Sequence, residues 1–138
     1  MKIEFLRNYR GLLSNIEAIE RQIQTMYNSV SSPNVKPSIG AGWSGEHPGN
    51  PTERTAFQII DLKEELEQRK AEQETALVEI ENWLKTIPNI EMESIIRWHF
   101  LLGQTWAVTN EHVYGYADKE YSRKQFQRFR SSNPGYFE

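Results

Sequence analysis

The sequence predicts an all-α protein in which a long antiparallel helical hairpin is followed by a three-helix, helix-turn-helix domain. Three observations predict this class: two long stretches with apolar residues at helical spacing, a Pro/Gly-rich segment between them, and three short helical segments near the C-terminus. We expect residues 1–87 to form the hairpin and residues 88–138 the second domain. With 138 residues, the chain is long enough to bury one substantial core.

Residues 2–30 are predicted to form one helix, because their apolar positions alternate steps of four and three, the a/d pattern of a helix that lies along another helix. These positions are Phe5, Tyr9, Leu12, Ile16, Ile19, Ile23, Met26 and Val30. Residues 31–51 contain four prolines and four glycines, which predicts a loop. Within this loop, Trp43 is interpreted either as an anchor against the hairpin or as a partner-binding residue, since tryptophan is frequent in binding hot spots.

A second long helix is predicted from Pro51 to about Thr86. Asn50 suits its N-cap, Pro51 suits its first position, and Glu53 stands three residues after the cap. Its ends are apolar and its centre is polar. The two long helices can pair as an antiparallel hairpin within one chain, and a homodimeric coiled coil through residues 2–30 and 52–86 is the competing arrangement.

Three short helices are predicted in the C-terminal domain. Asn89 and Thr105 suit the N-caps of the first two, Gly103 ends the first, and the last extends from about Ser122 to Arg130 with Ser122 at its cap. The expected core face of the first helix consists of Ile90, Ile95, Trp98, Leu101 and Leu102. In the last helix, Phe126 and Phe129 are three residues apart and are expected to be buried together.

Charge is unevenly distributed along the chain, although the net charge is only −3. Residues 52–86 carry five basic and nine acidic side chains, whereas residues 97–131 carry six basic and three acidic ones. A basic C-terminal third is compatible with binding a polyanion. Because basic side chains and helix N-termini suit phosphates and base edges, we predict these DNA-binding residues: Thr105, Lys119, Ser122, Arg123, Lys124, Gln127, Arg128 and Arg130. A solvated basic face without a ligand is the other interpretation.

Two runs of residues resemble the region-four domains of sigma factors and their phage-encoded relatives. Trp98-His99-Phe100-Leu101-Leu102-Gly103-Gln104-Thr105-Trp106 is similar to the L-R-Y-x-x-G-x-T-W run of that group. Ser122-Arg123-Lys124-Gln125-Phe126-Gln127-Arg128 resembles the S-x-x-x-V-x-R opening of its recognition helix. The layout of the chain also resembles small phage transcription regulators of the RinA or late-gene-activator type, with Thr52-Glu53-Arg54-Thr55-Ala56 opening the second helix. The resemblance implies a helix-turn-helix domain that acts at promoters. Between Gly115 and Ser122, however, the connector is longer than in that group.

Several other classes of function are excluded or disfavoured. The sequence has no cysteine, which excludes disulfides and thiolate chemistry, and its three histidines lack metal-ligand spacing. We therefore expect no metal, no cofactor and no enzymatic activity. No apolar run is long enough for a membrane span, and the charged start does not suit a signal peptide. The expected location is the cytoplasm of the host cell.

The favoured function is that of a phage or prophage DNA-binding transcription regulator, with double-stranded DNA and host RNA polymerase as partners. The alternative is a non-enzymatic helical phage protein that binds and inhibits a host protein, either RNA polymerase or a defence nuclease such as Cas9. A third hypothesis, a small terminase subunit, also combines a helix-turn-helix with a coiled coil, but usually in the reverse order.

Overall fold

The computed structural model describes residues 1–31 and 51–138, and the regular elements in these ranges are helical, as the predicted all-α class requires. The described ranges contain five α-helices, one π-helical segment and one 3-10 turn. They are α1 (Ile3–Ser31), α2 (Pro51–Leu84), α3 (Ile90–Ile96), the π-helical segment (Arg97–Leu101), α4 (Trp106–Tyr114), α5 (Tyr121–Ser132) and the 3-10 turn (Pro134–Phe137). Among the described helices, none is both long and apolar enough to span a membrane. The predicted loop and the Asn50 cap lie outside the described residues.

The described chain packs as two compact units, and each contains part of both long helices. The larger unit comprises residues 1–14 and 71–138, and the smaller unit lies within residues 15–70. The boundary between them therefore crosses α1 and α2, whereas the sequence places a division near residue 87.

The smaller unit is an antiparallel helix pair. Its buried residues are Ile19, Ile23 and Ile59, with Met26, Leu62 and Leu66 packed against them. The Lys70 ammonium lies 3.4 Å from the Glu20 carboxylate, and Lys63 donates a hydrogen bond to the Tyr27 hydroxyl at 2.5 Å. Residue numbers rise along one helix as they fall along the other, so the two helices pair in antiparallel fashion within one chain.

The larger unit has a core to which both long helices and the C-terminal helices contribute. Its fully buried apolar side chains are Leu6, Ile80, Leu84, Ile95 and Ile96. Leu6 lies outside the apolar positions predicted for α1. Leu84 lies outside those predicted from the spacing of α2, which are Ile59, Leu62, Leu66, Ala76, Ile80, Trp83 and Ile87. Both leucines are buried because, in this unit, the long helices are covered by the C-terminal helices as well as by each other.

The predicted helix over residues 90–102 is divided into α3 and the π-helical segment. Asn89 Oδ1 accepts a hydrogen bond from the Met92 amide at 3.1 Å, which confirms the predicted N-cap. The Leu102 amide donates to the Arg97 carbonyl at 2.8 Å, which is the wider i→i+5 spacing of a π-helix.

The core face predicted for this segment is partly wrong. Ile90 is 77% exposed and Leu102 is 55% exposed. Ile95 and Leu101 are buried as predicted and Trp98 is half-buried, and the buried face also includes Met92, Ile96, His99 and Phe100. Because the buried face includes His99, a prediction from the most apolar residues alone places part of the core on the wrong side of the helix.

An ion pair joins the π-helical segment to α2 within the larger unit. The Arg97 guanidinium donates to both Glu81 carboxylate oxygens, at 2.7 and 3.0 Å, and to Glu93 at 3.2 Å. Hydrogen bonding to Arg97 lowers the pKa of the Glu81 carboxyl. This bidentate contact holds the start of the segment at a defined position on α2.

Candidate nucleic-acid interface

One face of α5 is fixed by aromatic packing. Phe126 is buried, and its ring centroid lies 5.2 Å from that of Phe100 and 5.7 Å from that of Phe137. Phe129 is half-buried, with its centroid 5.8 Å from that of Tyr136. The prediction that Phe126 and Phe129 face the core is confirmed, with Phe126 the more deeply buried of the two.

The start of α5 differs from the prediction. The helix begins at Tyr121, its N-cap residue is Glu120, and Ser122 is fully buried. The Ser122 hydroxyl donates to the Trp106 carbonyl at 3.2 Å, and its amide donates to Asn110 Oδ1 at 3.0 Å. The prediction that Ser122 caps the helix and offers a phosphate contact is therefore wrong, because its polar atoms are already used inside the protein.

The neighbouring amides at this helix start are occupied as well. Asp118 Oδ1 accepts hydrogen bonds from the Glu120 amide at 2.7 Å and from the Tyr121 amide at 3.0 Å. These bonds lower the pKa of the Asp118 carboxyl. A carboxylate that occupies the amides of a helix N-terminus repels a phosphate from the same position, so the N-terminus of α5 is not an anion site.

The connector between α4 and α5 is held by one buried amide side chain. Gly115 ends α4 with a φ of 89°, in the left-handed region. Asn110 is fully buried, and its Nδ2 donates to the Tyr116 carbonyl at 2.8 Å while its Oδ1 accepts from the Ser122 amide. The longer connector noted in the sequence is thus an ordered element, tied at both of its ends to α4.

Three of the predicted DNA-binding residues form an exposed ridge along α5: Lys124, Gln127 and Arg128. Lys124 and Gln127 are three positions apart, and Arg128 directly follows Gln127. All three line a shallow surface depression together with Ser131 and Ser132. Within the described residues, their side chains make no hydrogen bond or ion pair. Their donors are therefore available to an external ligand.

The remaining predicted residues are in other surroundings. Thr105 is exposed and its hydroxyl accepts from the Val108 amide at 3.2 Å, so the prediction that it caps α4 is confirmed. Lys119 is exposed in the connector. Arg123 pairs with the Glu120 carboxylate. Trp43 lies outside the described residues.

Beside the ridge, α5 forms one wall of a concave cleft of about 420 Å³, which we call the arginine cleft. Arg123, Gln127 and Arg130 line it from α5, and Arg7 and Arg10 line it from α1. Arg7 and Arg10 were not predicted as site residues, because α1 was assigned to the hairpin alone. Their three-residue spacing was visible, but the approach of α1 to α5 is a long-range contact that no local pattern reveals.

Arg10 has a structural task in this cleft. Its Nε donates to the His99 carbonyl at 3.0 Å, and its Nη2 donates to the Gly103 and Gln104 carbonyls at 3.2 and 3.3 Å. The guanidinium therefore satisfies the carbonyl groups at the end of the π-helical segment. Its positive charge is not neutralised by these neutral acceptors.

His99 forms part of the wall of the arginine cleft. Its Nδ1 lies 2.8 Å from the Gln104 carbonyl, which assigns the hydrogen to Nδ1, and its ring stacks on Trp106 with centroids 3.6 Å apart. Burial, together with the nearby charge of Arg10, lowers the pKa of His99 to about 4. The imidazole is therefore neutral at physiological pH, and the charge of the cleft comes from its arginines.

No described group of three or more histidine or acidic side chains is arranged to hold a metal ion. Comparison with protein-family models, with curated proteins and with solved structures gave no match. The function is accordingly inferred from the geometry and charge of α5 and its surroundings.

Proposed function

We propose that this protein is a phage or prophage DNA-binding transcription regulator whose helix α5 enters the major groove of duplex DNA. The observation that carries the proposal is the exposed ridge, whose three polar side chains make no hydrogen bond or salt bridge within the described residues, although Lys124 lies close enough to Asp118 to add to the backbone hydrogen bonds in lowering the pKa of that carboxyl. The role is one of binding, without catalysis.

The chemistry of the ridge fits groove recognition. An arginine such as Arg128 can donate two hydrogen bonds to guanine, and the amide of Gln127 can pair with adenine. Lys124 provides a flexible positive charge for a phosphate. The buried rings of the opposite face hold the helix in place, so these side chains are presented from a rigid support.

The partners proposed for the rest of the molecule follow from the resemblance in the sequence. One helix-turn-helix module has a small contact area, and dimerisation or a contact with host RNA polymerase would add affinity. We assign these contacts to the two long helices.

The proposal is tested by fluorescence anisotropy with a labelled random duplex at low and increasing salt. If about four cations meet phosphates, the slope of log affinity against log salt is about −3.6. The Lys124→Gln, Arg128→Gln double variant removes two of these charges. We expect its binding to be weaker and its slope to be reduced to about −1.8.

The matched control is the Lys2→Gln, Lys85→Gln double variant, which removes the same charge from two exposed positions outside α5. We expect this control to retain the wild-type slope. Absence of salt-sensitive binding by the wild-type protein, or an equal loss in both double variants, would show that α5 does not bind DNA.

A second candidate function is the binding and inhibition of a host protein, RNA polymerase or a defence nuclease. It is favoured by two apolar side chains on α2, Phe57 and Ile60, which are 61% and 52% exposed and lie three residues apart. Exposed apolar pairs of this kind suit protein partners. The occupied N-terminus of α5 also departs from the phosphate-binding helix start of many DNA readers. A wild-type protein that fails to bind duplex DNA in the experiment above would support this candidate.

A further inference from the structure

We infer that the arginine cleft is a binding site for a nucleoside phosphate, with the phosphate held by guanidinium groups and the base placed against Trp106. A nucleoside phosphate is a different ligand from duplex DNA. Arg7 on α1 lines the cleft and does not belong to the ridge. The cleft and the depression beside the ridge share only Gln127, so the two proposals are tested with different variants.

Charge is the first reason. Four arginines line the cleft (Arg7, Arg10, Arg123 and Arg130), and among the described residues no aspartate or glutamate lines it. Arg123 is paired with Glu120 and Arg7 lies 3.9 Å from Glu4, whereas Arg10 and Arg130 make no ion pair within the described residues. The cleft is therefore a local concentration of positive charge in a protein whose net charge is −3. Like charges at close range destabilise one another, and an anion in the cleft relieves that repulsion.

The second reason is that two of these arginines have few or no partners within the described residues. Arg130 is half-buried and makes no hydrogen bond or ion pair within the described residues. Arg7 is paired only loosely, with its Nη1 3.9 Å from the Glu4 carboxylate. These two guanidinium groups come from different helices and line the same cleft, and each has the planar fork of N–H donors that suits a phosphate.

The shape and the apolar wall are the third reason. A volume of about 420 Å³ falls in the range of small-molecule sites and leaves most of the cleft unfilled by an inorganic phosphate. Trp106 is half-exposed and its ring is supported by the stacked imidazole of His99, whereas Phe100 and Phe126 are buried. Trp106 is thus the aromatic surface that a base can reach, and bases stack on such rings with little dependence on their identity.

Equilibrium dialysis of the full chain against dAMP at low salt tests the inference, with deoxyadenosine and inorganic phosphate as partial ligands. We expect saturable binding of dAMP and binding at least about tenfold weaker for each partial ligand. The Arg7→Gln, Arg130→Gln double variant is expected to lose at least about tenfold in dAMP affinity. Arg130→Lys, which keeps the charge but not the fork geometry, is expected to lose less.

The matched control is the ridge variant Lys124→Gln, Arg128→Gln, which removes the same charge from the opposite side of Gln127 and is expected to bind dAMP within about twofold of the wild type. Equal loss in both double variants, equal binding of deoxyadenosine and dAMP, or no saturable binding of dAMP would each overturn the inference. Far-ultraviolet circular dichroism establishes that the variants retain their helices. Because duplex binding is measured separately with the ridge variant, failure of either proposal leaves the other intact.

The same experiment identifies the source of the nucleotide. A 5′-phosphorylated thymidine trinucleotide that binds more tightly than dAMP, with the same dependence on Arg7 and Arg130, indicates the end of a DNA strand. A trinucleotide that binds no more tightly than dAMP indicates a free mononucleotide. Both results support a nucleoside-phosphate site.

Discussion

His99 shows how one residue can link the core to the cleft. The residue is 8% exposed, it donates from Nδ1 to the Gln104 carbonyl, and its pKa is lowered to about 4. In the unfolded chain, the pKa of a histidine is 6.5. As pH falls below that value, the unfolded chain takes up a proton that the folded protein does not. The free energy of unfolding therefore falls between about pH 6.5 and pH 4 and levels off below that range.

The His99→Asn variant tests this dependence, because asparagine keeps a side-chain donor and does not titrate. We expect the wild type to lose about 2 kcal/mol more stability than the variant between about pH 7 and pH 5. The measurement is urea unfolding followed by circular dichroism at each pH. Parallel pH profiles of the two proteins would show that His99 is protonated equally well in the folded and unfolded states.

Three other residues show where local chemistry is sufficient to predict structure and where it is not. Asn89 and Thr105 were assigned as N-caps from the sequence, and both accept the expected amide hydrogen bonds. Ser122 has the same capping chemistry but is buried under Asn110 and Trp106. A cap depends on neighbours within three residues, whereas the burial of Ser122 depends on residues 12 and 16 positions away.

At the scale of the helices, two glycines have opposite effects on stability. Gly115 ends α4 with a φ of 89°, which is strained for any residue that has a Cβ atom. Gly11 lies inside α1, where an added Cβ would meet nothing within 4 Å. The first glycine is required by the backbone, and the second only weakens its helix.

We expect Gly115→Ala to lower the free energy of unfolding by about 1 kcal/mol, because alanine must adopt a left-handed conformation there. Gly11→Ala is expected to raise it by about 0.5–1 kcal/mol through helix propensity. Urea denaturation of both variants measures these changes, and the two glycines serve as controls for each other. A loss of stability at both positions would mean that Gly11 is needed for a close approach that the described packing does not contain.

The lengths and order of the helices were predictable, but the sides that they bury were predictable only in part. The apolar spacing that predicts α1 also selects Ile19 and Ile23, which are buried in the smaller unit. In α3 and the π-helical segment, the i→i+5 bond and the buried His99 place Ile90 and Leu102 in solvent. The arginine cleft was not predicted because it requires α1 to approach α5, and that contact has no local signature.

At the scale of the whole molecule, the two units differ in the size of their cores. The core of the larger unit includes fully buried residues from both long helices and from α3. That of the smaller unit contains three buried isoleucines and three partly buried apolar residues. Since local stability follows the amount of buried apolar surface, the smaller unit should open at a lower free energy.

Hydrogen–deuterium exchange with mass spectrometry tests this difference. We expect amides of residues 15–31 and 51–70 to exchange at least about tenfold faster than the central amides of residues 76–84. Both regions are helical, so the comparison is free of differences in hydrogen-bond type. Equal protection of the two regions would show that the described chain unfolds as one cooperative unit.

The buried amide of Asn110 has a consequence for how this molecule can vary. Its Oδ1 accepts a hydrogen bond from the amide of Ser122, and its Nδ2 donates one to the carbonyl of Tyr116. An insertion or deletion in the connector would displace one of these groups. Its partner atom on Asn110 would then be buried without a hydrogen bond, which lowers the free energy of unfolding. Homologous chains should therefore change the identities of their ridge side chains far more freely than the number of residues between α4 and α5. In such a family, binding preference could diverge while the spacing of the two helices stayed constant.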